Sequence, residues 1–158
     1  MTDLILWRHA EAEDLDENDE EGGNDLSRRL TTKGERQATR MAAWLDRQLP
    51  DGVKIVASPA VRTEQTVLAL GRKYKTLPAL APDGSALALL EAVHWPKPGP
   101  AHVVVGHQPV LGQVAAQLLG LQAGECSIRK GAVWWLRHRI KKGQPQTLLL
   151  CVQNPEML

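Results

Sequence analysis

The sequence predicts an α/β fold, a three-layer αβα sandwich around a mostly parallel central sheet. Short apolar runs typical of buried strands alternate with longer amphipathic segments typical of helices. The chain has 158 residues, the usual size of one domain, and shows no internal repeat and no dividing linker. We therefore expect residues 1–158 to form a single domain.

The elements follow one another in a regular order. Strands are predicted at 4–7, 53–57, 77–80, 102–105, 132–140 and 147–152. The segment at 77–80 is the shortest and is expected at an edge of the sheet. Helices are predicted at 33–49, 61–74, 84–93 and 110–119. Thr31 and Thr32 are candidate N-caps of the first helix, and Glu35 follows Thr32 at the spacing of a capping box.

Composition excludes several classes of protein. The formal net charge is +1, so no overall field favours nucleic acid or a membrane as the partner. The longest apolar stretches are far below the roughly 18 residues that span a bilayer. The first apolar run is too short for a signal peptide, so we expect a cytoplasmic protein. Cys126 and Cys151 lack metal-ligand spacing and are expected to be buried thiols.

Charged and polar side chains follow three of the predicted strands. Arg8 and His9 come directly after the first strand. Arg62 lies in the first turn of the helix after the second strand, just beyond Ser58, and His107 follows the fourth strand. In an open parallel sheet, ligands bind beyond the carboxyl ends of the strands. We therefore expect the two arginines and the two histidines to share one site.

The residue types at this edge fit a phosphate pocket better than a metal centre. A zinc site needs three or four convergent ligands, whereas two histidines converge here beside two permanent cations. Arginine binds phosphate oxygens bidentately, and backbone N–H groups of the helix that begins near Pro109 would add an anion site. A histidine whose protonated form is disfavoured by neighbouring cations is a candidate nucleophile. The chemistry alone allows either His9 or His107 to take that role.

The other histidines are expected to be structural. His102 begins the strand that His107 follows, and five strand residues span about 16 Å, so the two cannot share a site. His94 and His138 lie away from the ends of the predicted strands.

Four segments resemble motifs of the histidine phosphatase superfamily, which has the phosphoglycerate-mutase-like fold. RHA at 8–10 is similar to the family's Arg-His-Gly, and SPAVRTEQT at 58–66 matches Ser-Pro-x-x-Arg-x-x-Gln-Thr. GH at 106–107 and LTTKG at 30–34 also fit the family pattern. The resemblance covers nearly the whole chain, and the short length and the GHQPVLG motif are most similar to the SixA-type phosphohistidine phosphatases.

The resemblance implies a phosphatase that needs no metal and no cofactor. His9 would be the nucleophile that is transiently phosphorylated, and water would hydrolyse the phosphohistidine intermediate. Arg8, Arg62 and His107 would hold the phosphoryl oxygens and stabilise the group in transfer. Ser58 would also belong to the phosphate-binding set.

Two departures from the family pattern concern this site. Ala10 stands where the family has glycine, which tolerates backbone angles and close approaches that alanine resists. Larger members also have a glutamate proton donor after the second helix. In this chain Asp83 is the candidate proton donor, and Glu91 and Glu11 are weaker alternatives.

A weak or missing acid favours phosphohistidine over a sugar phosphate as the substrate. An alkoxide leaving group needs a proton, whereas imidazole is a weaker base that solvent can protonate. A compact chain without a lid domain also suits a phosphorylated side chain of another protein. The leading interpretation is a phosphatase that acts on phosphohistidine in a partner, such as a signalling or phosphotransfer domain.

Other interpretations remain open at this stage. A broad phosphomonoesterase for small phosphate esters would need an acid at Asp83 or Glu91. A mutase would need a closed site that excludes water. A phosphoprotein-binding module with weak catalysis would fit Ala10 and the missing donor. Nucleic-acid binding through RHRIKK at 137–142 is disfavoured, because a strand would send these cations to both faces.

Residues 11–25 form the one compositionally biased segment, with nine acidic residues and no basic ones. We expect a solvated, flexible loop, as is usual for runs of like charge. The functional alternative is electrostatic selection, because negative charge beside a cationic pocket would repel free nucleotides or attract a basic patch on a partner. These acids could also enter the pocket as a weak mimic of phosphate.

Overall fold

A six-stranded mixed sheet lies at the centre of the protein in the computed structural model, which describes residues 1–15 and 24–158. Its strands are β1 (Thr2–Arg8), β2 (Lys54–Ala57), β3 (Lys75–Thr76), β4 (His102–Gly106), β5 (Val133–Lys141) and β6 (Gln144–Gln153). Their spatial order is β3-β2-β4-β1-β5-β6. The first four in this order run parallel, while β5 and β6 are antiparallel to their neighbours.

Helices cover both faces of this sheet. They are α1 (Thr32–Gln48), α2 (Val61–Leu68), α3 (Ala86–Ala92) and α4 (Val110–Leu118), with short 3-10 turns at 25–27, 78–80 and 155–157. Apolar residues of α1 and α2 share one core cluster with the sheet, and those of α3 and α4 share another. The predicted three-layer αβα sandwich is therefore confirmed.

Strand β1 shows how the sequence builds the two cores. Leu4 and Leu6 belong to the cluster on the α3–α4 side, whereas Ile5 and Trp7 belong to the cluster on the α1–α2 side. Successive strand residues point to opposite faces, so a continuous apolar run fits a strand covered on both sides. The apolar run ends at the carboxyl end of the strand, where Arg8 is the last residue of β1 and His9 follows it.

Two predicted elements differ from those observed. The edge strand predicted at 77–80 lies instead at Lys75–Thr76, because Pro78 lacks the N–H a strand would donate and begins a 3-10 turn. The helix predicted at 61–74 ends at Leu68. Gly71 beyond it has a φ of +69°, a left-handed conformation that is common just after a helix and prevents its continuation.

The start of α1 is capped by Thr31 alone. Its hydroxyl accepts a hydrogen bond from the Gly34 N–H at 3.0 Å. The Thr31 hydroxyl in turn donates to the Glu11 carboxylate at 2.7 Å, so Glu11 takes the place expected for Glu35 in the cap. An isolated bridge pairs Ala12 with Leu30. These contacts fix the chain that leaves β1 against the start of α1.

Outside the site, the two cysteines are more exposed than the sequence predicted. Cys126 and Cys151 are free thiols that are only half-buried, in contrast to the full burial expected. RHRIKK lies mostly on β5, where Arg137 forms an ion pair with Asp3 at 2.7 Å. No helix in the described residues has the length and hydrophobicity to cross a bilayer. Of the acidic segment at 11–25, residues 16–23 lie outside the described residues.

Candidate active site

A cavity of about 310 Å³ opens at the carboxyl ends of β1, β2 and β4. Backbone hydrogen bonds continue the parallel pairing past the strand ends, from His9 N–H to the Gly106 carbonyl and from Ser58 N–H to the Val105 carbonyl. The cavity is lined by Arg8, His9, Ala12, Asp25, Arg28, Arg62, Pro82, His107, Gln108 and Lys130. The structure thus brings together the two arginines and two histidines that the sequence placed at one sheet edge.

His9 has a defined tautomer. Its Nδ1 atom lies 2.7 Å from the Ala10 carbonyl oxygen. A carbonyl oxygen only accepts hydrogen bonds, so Nδ1 carries the proton and Nε2 keeps its lone pair. Burial lowers the pKa of His9 to about 3, and the charges of His107, Arg62 and Arg8 act in the same direction. His9 is therefore a neutral imidazole with a free nitrogen at physiological pH.

Ala10 fits the site without the conformational freedom of glycine. Among the described residues other than glycine, a positive φ occurs only at His94 and Lys142. Ala10 is fully buried, and its N–H donates to the Thr66 hydroxyl at 3.1 Å. Its carbonyl is the group that holds His9. With alanine at this position, the backbone contacts to Thr66 and to Nδ1 of His9 are made without a positive φ.

His107 is held by a serine behind it. Its Nε2 atom lies 2.8 Å from the Ser58 hydroxyl, which also accepts the Ala60 N–H at 3.3 Å. The hydroxyl still has its own proton to donate to Nε2, and in that arrangement the ring proton of His107 lies on Nδ1, the nitrogen without a partner among the described residues. Burial lowers the pKa of His107 to about 4, with Arg62 acting in the same direction. His107 is thus a neutral hydrogen-bond donor.

Ser58 has a different place from the one expected. The sequence assigned it to the phosphate-binding set, but its side chain is fully buried and does not line the cavity. Its hydroxyl is bonded to His107 instead. The contribution of Ser58 to the site is therefore the orientation of His107.

Three buried N–H groups around the cavity have no partner among the described residues: Arg8 Nε, Arg62 Nε and His107 Nδ1. Buried donors are nearly always hydrogen-bonded, and leaving one unpaired is costly. Arg8 is anchored through its Nη1 atom, which donates to the Ile128 carbonyl at 2.8 Å. The three free donors belong to side chains that line one cavity. An oxyanion bound there would satisfy them.

Asp25 lines the cavity but was not singled out from the sequence as an individual residue. Its backbone carbonyl accepts from Arg62 Nη1 at 2.6 Å, and its carboxylate accepts from Arg62 Nη2 at 2.9 Å. Arg28 Nε donates to the other carboxylate oxygen at 3.0 Å. In the sequence, Asp25 stands out only as the last acidic residue of the segment at 11–25. The i, i+3 spacing of Asp25 and Arg28 was the available signal that this acid is held in place.

The proton donors considered from sequence lie outside the cavity. Asp83 is exposed, and only its neighbour Pro82 reaches the cavity wall. Glu91 is exposed on α3, and Glu11 is bonded to Thr31. The geometry gives no support to Asp83 as the proton donor. Among the described residues that line the cavity, Asp25 has the only carboxylate.

The start of α4 offers less to an anion than the sequence indicated. The Leu111 N–H donates to the His107 carbonyl, and the Gly112 N–H donates to the Gln108 side chain at 2.7 Å. Pro109 is the N-cap and has no N–H group. The helix N-terminus is therefore largely satisfied by its own chain. Of this motif, His107 and Gln108 line the cavity, and the Gln108 side chain is bonded to the Cys126 carbonyl and the Gly112 N–H.

The remaining histidines lie outside the cavity. His102 is half-buried at the start of β4, His94 is exposed, and His138 packs edge-on against Trp95. The part of the chain that the structure describes contains no group of three or more side chains able to hold a metal ion.

The family follows from comparison with known proteins. The chain belongs to the histidine phosphatase superfamily (branch 1), whose model matches residues 4–83. It is similar to the phosphohistidine phosphatase SixA of Escherichia coli K12, with 33% identity over 125 residues that cover 73% of each chain. A SixA homolog of Haemophilus influenzae is 27% identical over 132 residues, which cover 74% of this chain and 77% of the relative.

A solved structure shows the same fold. The protein histidine phosphatase SixA complexed with tungstate superposes with a TM-score of 0.75 at 24% identity, covering 98% of both chains. The SixA type and the phosphoglycerate-mutase-like fold that the sequence indicated are thus confirmed. The protein is a hydrolase of the phosphatase class.

Proposed function

We propose that this phosphatase hydrolyses phosphohistidine on a partner protein, with His9 as the nucleophile and without a metal ion. One observation supports the proposal most directly. The neutral His9 ring has a free Nε2 in a cavity whose wall also includes the side chains of three unpaired N–H donors. A nucleophile beside donors that are already in place is the arrangement that phosphoryl transfer needs.

In the first step the phosphoryl group of the substrate enters the cavity as an oxyanion. Arg8, Arg62 and His107 donate hydrogen bonds to its oxygens and stabilise the charge of the transition state. His9 Nε2 attacks phosphorus, and the bond from phosphorus to the substrate nitrogen breaks with its electron pair on that nitrogen. The phosphorylated ring of His9 becomes cationic, and its Nδ1–H bond to the Ala10 carbonyl stabilises that charge.

In the second step water hydrolyses the phosphorylated His9. The water oxygen bonds to phosphorus as the P–Nε2 bond breaks, and the electron pair of that bond returns to Nε2. Both water hydrogens remain on the product as dihydrogen phosphate, which loses a proton to solvent at neutral pH. His9 regains its neutral tautomer, so the cycle closes without a cofactor.

The cavity wall supports a phosphoramidate substrate over a sugar phosphate. Hydrogen bonds and charge from Arg62 and Arg28 outweigh the effect of burial and lower the pKa of Asp25, so this carboxylate is ionised at neutral pH. The described residues of the cavity therefore include no protonated acid for an alkoxide leaving group. Imidazole needs less assistance because it leaves as a weak base.

A broad small-molecule phosphomonoesterase is the alternative. Arg28 and the exposed Lys130 add positive charge to the cavity wall beside Arg8 and Arg62. Such a rim attracts any small dianion and does not by itself select a protein substrate.

The experiment compares phosphate release, in EDTA, from a phosphohistidine-containing protein and from phosphoserine. We expect fast release from phosphohistidine by the wild type and a loss of at least about a thousandfold in His9→Ala, the scale on which removal of a nucleophile acts. Release from the ester alone would favour the phosphomonoesterase. Release that needs an added divalent metal would overturn the metal-independent mechanism.

The control is a histidine outside the cavity. His94 is exposed and has a φ of 58°, a left-handed conformation that asparagine tolerates. His94→Asn should therefore retain wild-type rates, which shows that the loss in His9→Ala is specific to the site.

A further inference from the structure

Asp25 is built into the wall of the cavity. It begins a 3-10 turn whose N-cap, Asn24, accepts the Ser27 N–H through its side chain at 3.0 Å. Arg62 donates hydrogen bonds to the backbone carbonyl of Asp25 and to one of its carboxylate oxygens. Arg28 donates a hydrogen bond to the other carboxylate oxygen. Three side-chain hydrogen bonds therefore converge on Asp25, and the two that reach its carboxylate hold that group in one orientation.

The carboxylate remains accessible despite these bonds. The Asp25 side chain is 42% exposed, whereas that of Arg62 is 3% exposed. Asp25 therefore lies on the solvent-facing side of the Arg62 guanidinium. Each carboxylate oxygen has two lone pairs, and the two arginines use one on each oxygen. Asp25 can accept a further hydrogen bond from a group that enters the cavity.

We propose that Asp25 determines specificity by accepting the N–H of the leaving imidazole, so that the site favours phosphohistidine over phosphate esters. The inference rests on the proposed function and deepens it. The ring of phosphohistidine has one nitrogen bonded to phosphorus and a second that carries a proton when the ring is cationic. A fixed carboxylate stabilises that protonated ring, which is the better leaving group.

The proton balance of the step is simple. His9 Nε2 bonds to phosphorus, and the P–N bond of the substrate breaks with its electron pair on the substrate nitrogen. The other ring nitrogen keeps its proton, which is hydrogen-bonded to Asp25. The substrate side chain therefore leaves as neutral imidazole, and Asp25 stays ionised throughout.

A phosphate ester meets the opposite situation. Its leaving oxygen develops negative charge, which an ionised carboxylate repels. The oxygen also has no N–H to donate. The negative charge of Asp25 thus slows the hydrolysis of esters and speeds the hydrolysis of phosphohistidine.

The test is Asp25→Asn, assayed with free phosphohistidine and with para-nitrophenyl phosphate. Asparagine keeps the size of the side chain and one acceptor oxygen, which can bond one of the two arginines, and it removes the charge. We expect the ratio of kcat/KM for phosphohistidine to kcat/KM for the ester to fall at least about tenfold. We also expect the alkaline limb of the phosphohistidine profile to move to lower pH, because the protonated ring loses its partner.

The matched control is Asp46→Asn. Asp46 also accepts from an arginine, Arg72, at 2.8 Å, but it lies on the surface outside the cavity. The ratio of the two substrates should be unchanged in this variant.

Inhibition by inorganic phosphate separates this role from a positioning role. If Asp25 contacts the leaving group, Asp25→Asn should bind phosphate at least as tightly as the wild type, because a negative charge has been removed. Weaker phosphate binding together with an equal loss on both substrates would mean that Asp25 only positions Arg62, and would overturn the inference. An unchanged substrate ratio would also overturn it.

The proposed function can fail separately. If the wild type releases no phosphate from either a phosphohistidine-containing protein or free phosphohistidine, the substrate assignment itself is wrong. If the wild type hydrolyses phosphohistidine and the ratio is unchanged in Asp25→Asn, the function stands and the role of Asp25 is refuted.

Discussion

At the scale of single residues, the hydrogen bond between the Ser58 hydroxyl and Nε2 of His107 anchors the His107 ring. The Ser58 hydroxyl and Nε2 are 2.8 Å apart, and Nδ1 is buried without a partner among the described residues. Without the serine, the ring loses this anchor. In the proposed mechanism, a side chain outside the cavity therefore orients one of the donors to the phosphoryl group.

We predict that Ser58→Ala lowers kcat/KM by roughly tenfold to a hundredfold, the range seen when the partner that orients a functional histidine is removed. The fold should persist, which circular dichroism would check. Ser85→Ala is the matched control, since Ser85 caps α3 through its hydroxyl and lies outside the cavity. It should cost stability but not rate. Equal rates for wild type and Ser58→Ala would contradict the orienting role of Ser58.

The main residues of the site could be predicted because each follows a strand or begins a helix. Arg8, His9, Arg62 and His107 come together for that reason alone. Asp25 could not be placed in the same way, because it reaches the cavity through a turn in a segment without a strand or helix pattern. Ser58 was assigned to the right region, but sequence does not show whether a hydroxyl faces the cavity or the ring behind it.

At the scale of elements, the start of α1 and the chain that leaves β1 are locked together at Gly34. A Cβ atom placed on Gly34 would lie 2.0 Å from the Glu11 backbone oxygen. The Thr31 N–H also donates to that carbonyl. The close approach holds the segment after His9 against α1, so the glycine contributes to the placement of His9.

We predict that Gly34→Ala destabilises the protein by about 1–3 kcal/mol or more, since the clash is with backbone and cannot be relieved by a rotamer change. Gly124→Ala is the control, because no atom lies within 4 Å of a Cβ at that position. Urea unfolding of both variants measures the difference. Equal stability of the two would show that the loop is free to move away from α1.

The sequence predicted the existence of the elements better than their ends. Strand β4 and helix α4 were placed within a residue or two because buried apolar runs mark them on both sides. The end of α2 and the position of β3 were misplaced. Both errors come from local backbone chemistry at Gly71 and Pro78, which overrides the apolar pattern around them.

At the scale of the whole molecule, the site lowers stability in acid. The folded protein holds His9 and His107 with pKa values of about 3 and about 4, whereas the ordinary histidine value is 6.5. Below pH 6.5 these two histidines bind protons in the unfolded chain but stay neutral in the folded chain, so acid favours unfolding. The stability present above pH 6.5 is lost as the pH falls from 6.5 toward 4.

We predict that the free energy of unfolding decreases by roughly 2 kcal/mol per buried histidine between pH 7 and pH 5, following about 1.4 kcal/mol per pH unit below the unfolded pKa. Urea titrations in a phosphate-free buffer measure it, since phosphate would bind the site. His107→Gln should show a smaller decrease than the wild type. An identical pH dependence in His107→Gln would refute the neutral buried state of His107.

The central claim is that His9 carries the phosphoryl group between substrate and water. The most direct measurement is to mix the enzyme with a phosphohistidine-containing protein, quench within milliseconds in alkali, and locate the phosphoryl group by mass spectrometry. The account predicts phosphorylation at His9 during turnover, and none in His9→Ala. A phosphoryl group on His107, or turnover with no phosphorylated enzyme at any time, would contradict it.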